Sequence, residues 1–267
     1  MLKTRLIPCL LLMNGLLVRS EEFSLHQVIG NPINQVERFS AWAVDELIYI
    51  DITREGGHDL RRDDHKVKAK TELLDIIDEV SRTCFVPLTF GGGIRTLEDI
   101  RLRLAHGADK VTINTAAVER PEFVADAAGV FGSQAIIVSI DAKARDGGWD
   151  VMTRWGRHAS GLDVVEWARA AEAHGAGEIF LNSVDRDGMA GGYDLALIEA
   201  VSEATSIPVI ACGGVGKFGH LVDGVRAGAS AVSAANIFHF TEHSTQLAKR
   251  ALAEAGVPVR LAGVGGR

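Results

Sequence analysis

The chain repeats itself. Residues 86–118 align without a gap on residues 207–239, with Pro87 on Pro208, Gly92-Gly93 on Gly213-Gly214 and Gly107-Ala108 on Gly228-Ala229. An earlier stretch behaves the same way: Arg5-Leu-Ile-Pro-Cys-Leu-Leu11 aligns with Ala135 to Asp141. What recurs is an apolar run, a glycine turn and an amphipathic segment, which is the order strand, turn, helix. The repeat fails at one informative place. Asp141 closes its apolar run, and its counterpart is Leu11.

Eight short apolar runs alternate with amphipathic segments. The candidate strands are 5–11, 46–51, 86–90, 110–113, 135–140, 178–182, 207–211 and 230–233. Fully apolar runs such as Ile207-Pro-Val-Ile-Ala211 suit parallel strands covered on both faces. The candidate helices are 32–43, 70–82, 96–106, 121–130, 162–174, 194–205, 217–227 and 241–255, and in the fifth of these Val165, Trp167 and Ala168 are expected to face inward. Eight strands alternating with eight helices predict an α/β fold of the (β/α)8 TIM barrel type, built from two half-barrels. A doubly wound sheet is the alternative, and the half-chain repeat favours closure. The expectation is one barrel domain over 1–260 and a frayed tail over 261–267.

Leu6 to Val18 is apolar enough to imitate a signal peptide, but Pro8, Asn14 and Gly15 interrupt it and no small-residue cleavage site follows. It reads as the first barrel strand. With Lys+Arg 28 against Asp+Glu 35 the net charge is −7, and no long basic block exists, so nucleic acid is not an expected partner. No apolar run approaches the ~18 residues of a membrane span. Cys9, Cys84 and Cys212 are odd in number and lack close spacing, which fits reduced thiols on strands in a cytoplasmic protein. Nine histidines show no metal-ligand spacing: His58 and His65 lie in a charged stretch over 54–69, and His239 and His243 near the last helix. Neither a metal nor a cofactor is expected. The 54–69 stretch reads as a solvated loop, although it leaves the C-terminal end of a strand, where substrate contacts are made.

Gly91-Gly92-Gly93 and Gly213-Gly214 each follow a strand and precede a helix. Such turns let a phosphate approach backbone N–H groups at a helix start. Two of them, placed by the repeat at opposite sides of a barrel, point to a ligand with two anionic ends. Asn114-Thr115 and Ala235-Asn236 follow the next strand in each half and add donors. Asp141 and Asp187 end strands, the position from which barrel carboxylates act as acids or bases. Asp185 reads as a loop-fixing residue and Asp51 as a supporting one. Arg5, Glu46, Lys110 and Glu178 begin four different strands and would ring the N-terminal mouth, as a salt-bridge layer or as the closure of an internal passage.

These residues carry a resemblance over nearly the whole chain. Leu6-Ile-Pro-Cys-Leu, Asp45-Glu46-Leu, Phe90-Gly-Gly-Gly-Ile-Arg, Gly132-Ser-Gln-Ala-Ile, Ser139-Ile-Asp-Ala-Lys, Gly175-Ala-Gly-Glu-Ile, Asp185-Arg-Asp-Gly and Phe238-His-Phe resemble the cyclase-subunit family of imidazole glycerol phosphate synthase, an enzyme of histidine biosynthesis. The resemblance implies a glutaminase partner on the N-terminal face and a phosphate-bearing small-molecule substrate. It implies ammonia passing through the barrel behind a gate formed by Arg5, Glu46, Lys110 and Glu178. It places phosphate ends near Gly92, Gly93, Asn114 and Thr115, and near Gly188, Gly213, Gly214, Ala235 and Asn236. Of the two catalytic aspartates it implies, one falls on the Asp187 side, with Asp141 supporting, and the other falls on Leu11. Further departures are Arg19 for a loop lysine, Asn182 and Met189 for threonines, and Asn236 for a serine.

Ile7-Pro-Cys-Leu-Leu-Leu, Leu181-Asn182-Ser183 and Phe240-Thr-Glu-His-Ser resemble a paralogous group in bacterial surface-polysaccharide (O-antigen) synthesis. Members of that group help convert an acetamido group of a nucleotide-linked sugar to acetamidino with glutamine-derived ammonia. The sequence therefore predicts an ammonia-accepting amidotransferase subunit of this kind. The alternatives are the histidine-pathway cyclase itself and a non-catalytic, glutaminase-activating scaffold.

Overall fold

The computed structural model describes residues 3–54, 72–239 and 242–261. Eight parallel strands close on themselves in the order β1 (Arg5–Met13), β4 (Leu47–Asp51), β5 (Leu88–Gly91), β6 (Lys110–Ile113), β7 (Ile136–Arg145), β10 (Glu178–Ser183), β11 (Val209–Cys212) and β12 (Ala231–Ala234), with β12 pairing back on β1. The eight expected strands are all present, and the apolar start of the chain is β1. Helices α1 (Pro32–Ala41), α2 (Leu73–Thr83), α3 (Leu97–Ala105), α5 (Glu122–Phe131), α6 (Val164–Ala173), α7 (Leu195–Ala204), α8 (Phe218–Arg226) and α9 (Ser244–Glu254) follow the strands in turn. The fold is a (β/α)8 barrel. The 55–69 part of the charged stretch, with His58 and His65, lies outside the described residues, as do Phe240-Thr241 and 262–267.

Alternation along each strand sorts the side chains into two layers. Leu6, Leu10, Leu12, Leu47, Tyr49 and Phe90 point outward into the main core under the helices. Ile7, Cys9, Ile48, Ile137, Phe180, Ile210, Cys212 and Ala231 fill the interior as a separate apolar cluster, with Leu11, Ile50 and Ala235 at its edge. Strand register adds three hydroxyls to that interior: Thr89 sits opposite Ile48, Thr112 opposite Ile137, and Ser233 opposite Ile7. None of the three hydroxyl oxygens has a hydrogen-bond partner.

Two antiparallel hairpins were not foreseen. β2 (Leu16–Glu21) folds back on β1 and pairs with β3 (Leu25–Gly30), while β8 (Gly148–Thr153) folds back on β7 and pairs with β9 (His158–Asp163). Both extend barrel strands beyond the C-terminal mouth. Their turn signals are in the sequence: Asn14-Gly15, with φ 52° and 81°, and Asp146-Gly147. The Asn14-Gly15 pair that interrupts the apolar run is therefore a hairpin turn. β9 also moves the start of α6 to Val164, where the Asp163 side chain accepts from the N–H groups of Val165 and Glu166. That shift buries Val164 with Trp167, Ala168 and Ala171, and leaves Val165 only half-buried. A short helix, α4 (Thr115–Glu119), was likewise not anticipated, and Cys84 caps α2 rather than lying on a strand.

Candidate functional site

At the N-terminal end, four strand starts bring Arg5, Glu46, Lys110 and Glu178 into a closed ring of alternating charge. Arg5 donates to Glu46 at 2.7 Å and to Glu178 at 2.5 Å, and Lys110 donates to Glu178 at 2.5 Å and to Glu46 at 3.2 Å. Burial pushes the Glu178 carboxyl up, but Arg5 and Lys110 outweigh it and hold it below the usual carboxylate range. Burial weakens the Arg5 guanidinium, and Glu178 and Glu46 more than restore it. Outside the ring lies a cavity of about 120 Å³ lined by Arg5, Asp45, Glu46 and Pro87 among others. Asp45 is held by the Leu6 N–H and Lys249, each at 2.8 Å, and Asp109, beside Lys110, accepts from the Leu88 N–H at 2.8 Å.

The opposite end collects the residues at strand C-termini. Asp141 follows Ile137 and Ser139 along β7 on the interior side, and Asn114 donates to it at 3.0 Å. Burial, then the nearby Asp187 charge, raises the Asp141 carboxyl to about 7. A carboxyl at that value exchanges protons readily near neutral pH. Asp187 is also pushed up by burial, against the pull of two donors: Ser20 Oγ at 2.7 Å and the Phe23 N–H at 3.2 Å. Its backbone carbonyl accepts from the Glu22 N–H at 3.0 Å. Asp187 thus fastens the tip of the β2–β3 hairpin over the mouth, a contact set invisible in the sequence because Ser20 lies in an unremarkable polar stretch. Asp185 accepts from the Ala144 N–H at 2.8 Å and Asp51 from the Thr53 N–H at 2.9 Å, so both hold backbone beside the mouth.

Leu11 sits at the edge of the interior apolar cluster, paired with Ile50 and Val18. The β1 side of the mouth therefore offers hydrocarbon where the β7 side offers a carboxyl. Cys9 and Cys212 also meet in this cluster. The Cys212 thiol and burial push the Cys9 thiol well up, which leaves it a protonated packing group rather than a nucleophile.

The glycine turns repeat in backbone geometry as well as in sequence. Gly92 and Gly213 have φ of +95° and +94°, and a Cβ at Gly92 would lie 2.1 Å from the Asp51 carbonyl oxygen. On the side of the second glycine turn, Arg19 from β2 joins Gly188, Gly213, Gly214, Ala235 and Asn236 in lining one cavity of about 310 Å³ together with Asp187 and Cys212. Arg19 is held at its rim by Glu21 at 3.3 Å, and Asn236 donates to the Ser20 carbonyl at 3.0 Å while its own Oδ1 is buried without a partner. In the first half, Gly93 opens towards Arg103, whose guanidinium donates to the Gly92 carbonyl at 2.7 Å. The Thr115 hydroxyl accepts from the Arg154 N–H at 3.1 Å and so joins this side of the mouth to the β8–β9 hairpin. The two glycine turns lie at the same end of the barrel as both aspartates.

Closed barrel, interior polar atoms and a mouth built from strand ends describe an enzyme-type barrel. Comparison with known proteins agrees. A family model described as "Histidine biosynthesis protein" matches residues 5–244. Proteins named imidazole glycerol phosphate synthase subunit HisF, from two strains of Caulobacter vibrioides, are each 47% identical over 264 residues, covering 98% of this chain and 97% of the relative. The chain belongs to this histidine-biosynthesis barrel family, within its synthase-subunit branch. No helix among the described residues is long and apolar enough to cross a membrane.

Proposed function

We propose that the chain is the ammonia-accepting barrel subunit of a glutaminase-coupled synthase that adds nitrogen to a phosphate-bearing substrate. The observation that carries this reading is the closed ring of Arg5, Glu46, Lys110 and Glu178 at one end of an interior whose other end holds Asp141. Ammonia admitted past the ring would meet Ile7, Ile48 and Phe180, with the unpartnered hydroxyls of Thr89, Thr112 and Ser233 as hydrogen-bonding stations. Asp141, poised near neutrality, serves as the proton-transfer group, and Asp187 orders the loop that covers it. The two glycine turns hold the anionic ends of the substrate, the first with Asn114 and Thr115, the second with Gly188, Ala235, Asn236 and Arg19. The glutaminase docks on the N-terminal face around Asp109 and the ring.

The name of the Caulobacter relatives supports imidazole glycerol phosphate synthesis as the reaction. Leu11 favours a second reading, in which the same ammonia delivery serves an acetamidino-forming step on a nucleotide-linked sugar. Leucine moves no proton, and loss of one general acid or base typically costs about 10²–10⁴ in rate. The deciding measurement is steady-state cyclase turnover of the histidine-pathway ribulosyl intermediate with excess ammonium, for the wild type and Leu11→Asp. Wild-type turnover near about 10 s⁻¹ establishes the first reading. Negligible wild-type turnover that rises in Leu11→Asp excludes the first reading and favours the second. A purified glutaminase subunit that neither binds the chain nor is stimulated by it refutes the ammonia route altogether.

A further inference from the structure

The first half of the barrel buries an arginine at a position where the second half carries a glycine. Arg103 lies on the inner face of α3 beside Ile100 and is only 7% exposed. Its Nη2 donates to the Gly92 carbonyl at 2.7 Å and its Nη1 to the Asp99 carbonyl at 2.9 Å, while its Nε is buried without a partner. Among the described residues no carboxylate forms an ion pair with it. The Asp99 carboxylate accepts instead from the N–H groups of Arg95 and Thr96, and the Asp51 carboxylate from the Thr53 N–H. Burial weakens the Arg103 guanidinium, and Asp99 and Asp51 restore it only in part. An arginine keeps its proton even so, and a buried cation without a counter-charge costs stability.

The guanidinium sits directly behind the first glycine turn. A Cβ at Gly93 would lie 3.8 Å from its Nη2. A trans peptide points its C=O and its N–H in opposite directions. The Gly92 carbonyl is turned in towards Arg103, so the Gly93 N–H is turned out. That N–H meets no acceptor among the described residues, and Gly93 is exposed. The turn therefore has a free donor on its outer side and a positive charge on its inner side. In the internal repeat the counterpart of Arg103 is Gly224. A Cβ there would lie 2.7 Å from the Tyr193 ring, whose hydroxyl donates to the Ser233 carbonyl at 2.7 Å. An aromatic ring thus fills that place in the second half, and the cation lining the second cavity is Arg19.

We propose that Arg103 is a positioning residue of the first anion site, which fixes the Gly92–Gly93 peptide with its N–H outward and supplies the positive charge for a phosphate group bound there. The proposal rests on the phosphate-site reading of Gly92, Gly93, Asn114 and Thr115. The phosphate is held by neutral donors, and the cation acts on it through one peptide unit rather than by contact. Attraction across that short, largely dry gap is stronger than the same separation would give in water. The two halves of the site then recognise like groups by different means, one with a buried cation and one with Arg19 at the rim.

The test is an amide NMR titration of the full chain with inorganic phosphate, in which the Gly93 and Gly214 N–H signals read the two sites separately. Arg103→Gln keeps a donor for the Gly92 carbonyl and removes the charge. It should weaken phosphate at Gly93 roughly tenfold and leave Gly214 unchanged. Arg103→Leu, which suits the apolar side of α3, should weaken the same site at least as much, so the result does not hinge on one variant folding. Arg103→Lys keeps the charge and should retain most of the affinity. Wild-type affinity at Gly93 in the Gln or Leu variant, a Lys variant as weak as Gln, or equal weakening at both turns overturns the role of Arg103. If phosphate leaves the Gly93 signal of the wild type unmoved, the glycine-turn reading itself fails, which separates the two failures.

Discussion

The two ends of the barrel treat charge in opposite ways. At the N-terminal end each acid of the ring faces two cations and each cation faces two acids, all within 3.2 Å. At the C-terminal mouth, burial raises both the Asp141 and the Asp187 carboxyls, and the Asp187 charge raises Asp141 further. A satisfied ring can stay shut without a ligand and supplies its own stability. The mouth instead keeps carboxyls whose ionisation burial opposes, and groups perturbed in this way are the ones a reaction can use. The same barrel thus keeps a structural closure and a reactive site apart by about the length of its strands.

Substitution of Asp141 should break the comparison most visibly. Asp141→Asn is expected to lower synthase activity by about 10²–10⁴, and wild-type activity should rise with pH through about 7 if the carboxylate acts as base. Its effect on stability should run the other way. The folded-state value lies above the unfolded value of about 3.9, so ionising Asp141 costs stability as pH rises through about 7 and costs nothing below the unfolded value. Asp141→Asn should therefore raise Tm at pH 8, by the equivalent of up to about 4 kcal/mol, and leave it nearly unchanged at pH 4. A variant equally stabilised at both pH values would show that Asp141 is not held in its neutral form by burial.

The ring should respond in the reverse sense. Glu178→Ala leaves Arg5 and Lys110 sharing one acid in a setting where the four side chains are only 8–23% exposed. Stranding a largely buried charge costs about 3–5 kcal/mol, and partial solvent access places this case at the lower end. Glu178 is held below the ordinary carboxylate range, so its contribution is present at neutral pH and fades as pH falls through that lowered value. Urea melts of the wild type and Glu178→Ala at pH 7 and pH 3 should show the difference shrinking in acid. Lys110→Ala should still bind the glutaminase but uncouple glutamine hydrolysis from product. A Glu178→Ala chain as stable as the wild type at pH 7 would mean that the ring is not a stabilising closure.

The barrel was legible because its signals are local and repeated. Eight apolar runs, glycine turns at matching places, and acids or bases at strand ends all survive in one dimension. Arg5, Glu46, Lys110 and Glu178 begin strands, so their meeting follows from closure alone. Asp141 and the second glycine site followed in the same way. The hairpins were missed although Asn14-Gly15 and Asp146-Gly147 announce them, because the expectation of strand then helix overrode the turn chemistry. What the hairpins do was hidden for a different reason. Ser20 reaches Asp187, Phe23 reaches Gly156, and Arg54 reaches Phe23 across long stretches of sequence, through tips whose direction no periodicity encodes.

The smallest effect concerns that tip and tests whether the mouth is closed by Asp187 or merely decorated by it. Ser20 Oγ and the Phe23 N–H share one carboxylate oxygen, and the Glu22 N–H holds the backbone of the same residue. Ser20→Ala removes one of these three ties, with an expected loss of about 1 kcal/mol. Both donors favour the charged carboxylate, so the variant should also move the Asp187 titration further up. Amide hydrogen exchange supplies the local readout: N–H groups of residues 22–23 should exchange faster in Ser20→Ala, while those of the N-terminal ring strands should not change. Faster exchange at both ends would mean that the hairpin supports the whole barrel, and the division of labour between its two ends would not hold. Unchanged exchange at the tip would leave the Glu22 and Phe23 ties as sufficient, with Ser20 acting only on the charge of Asp187.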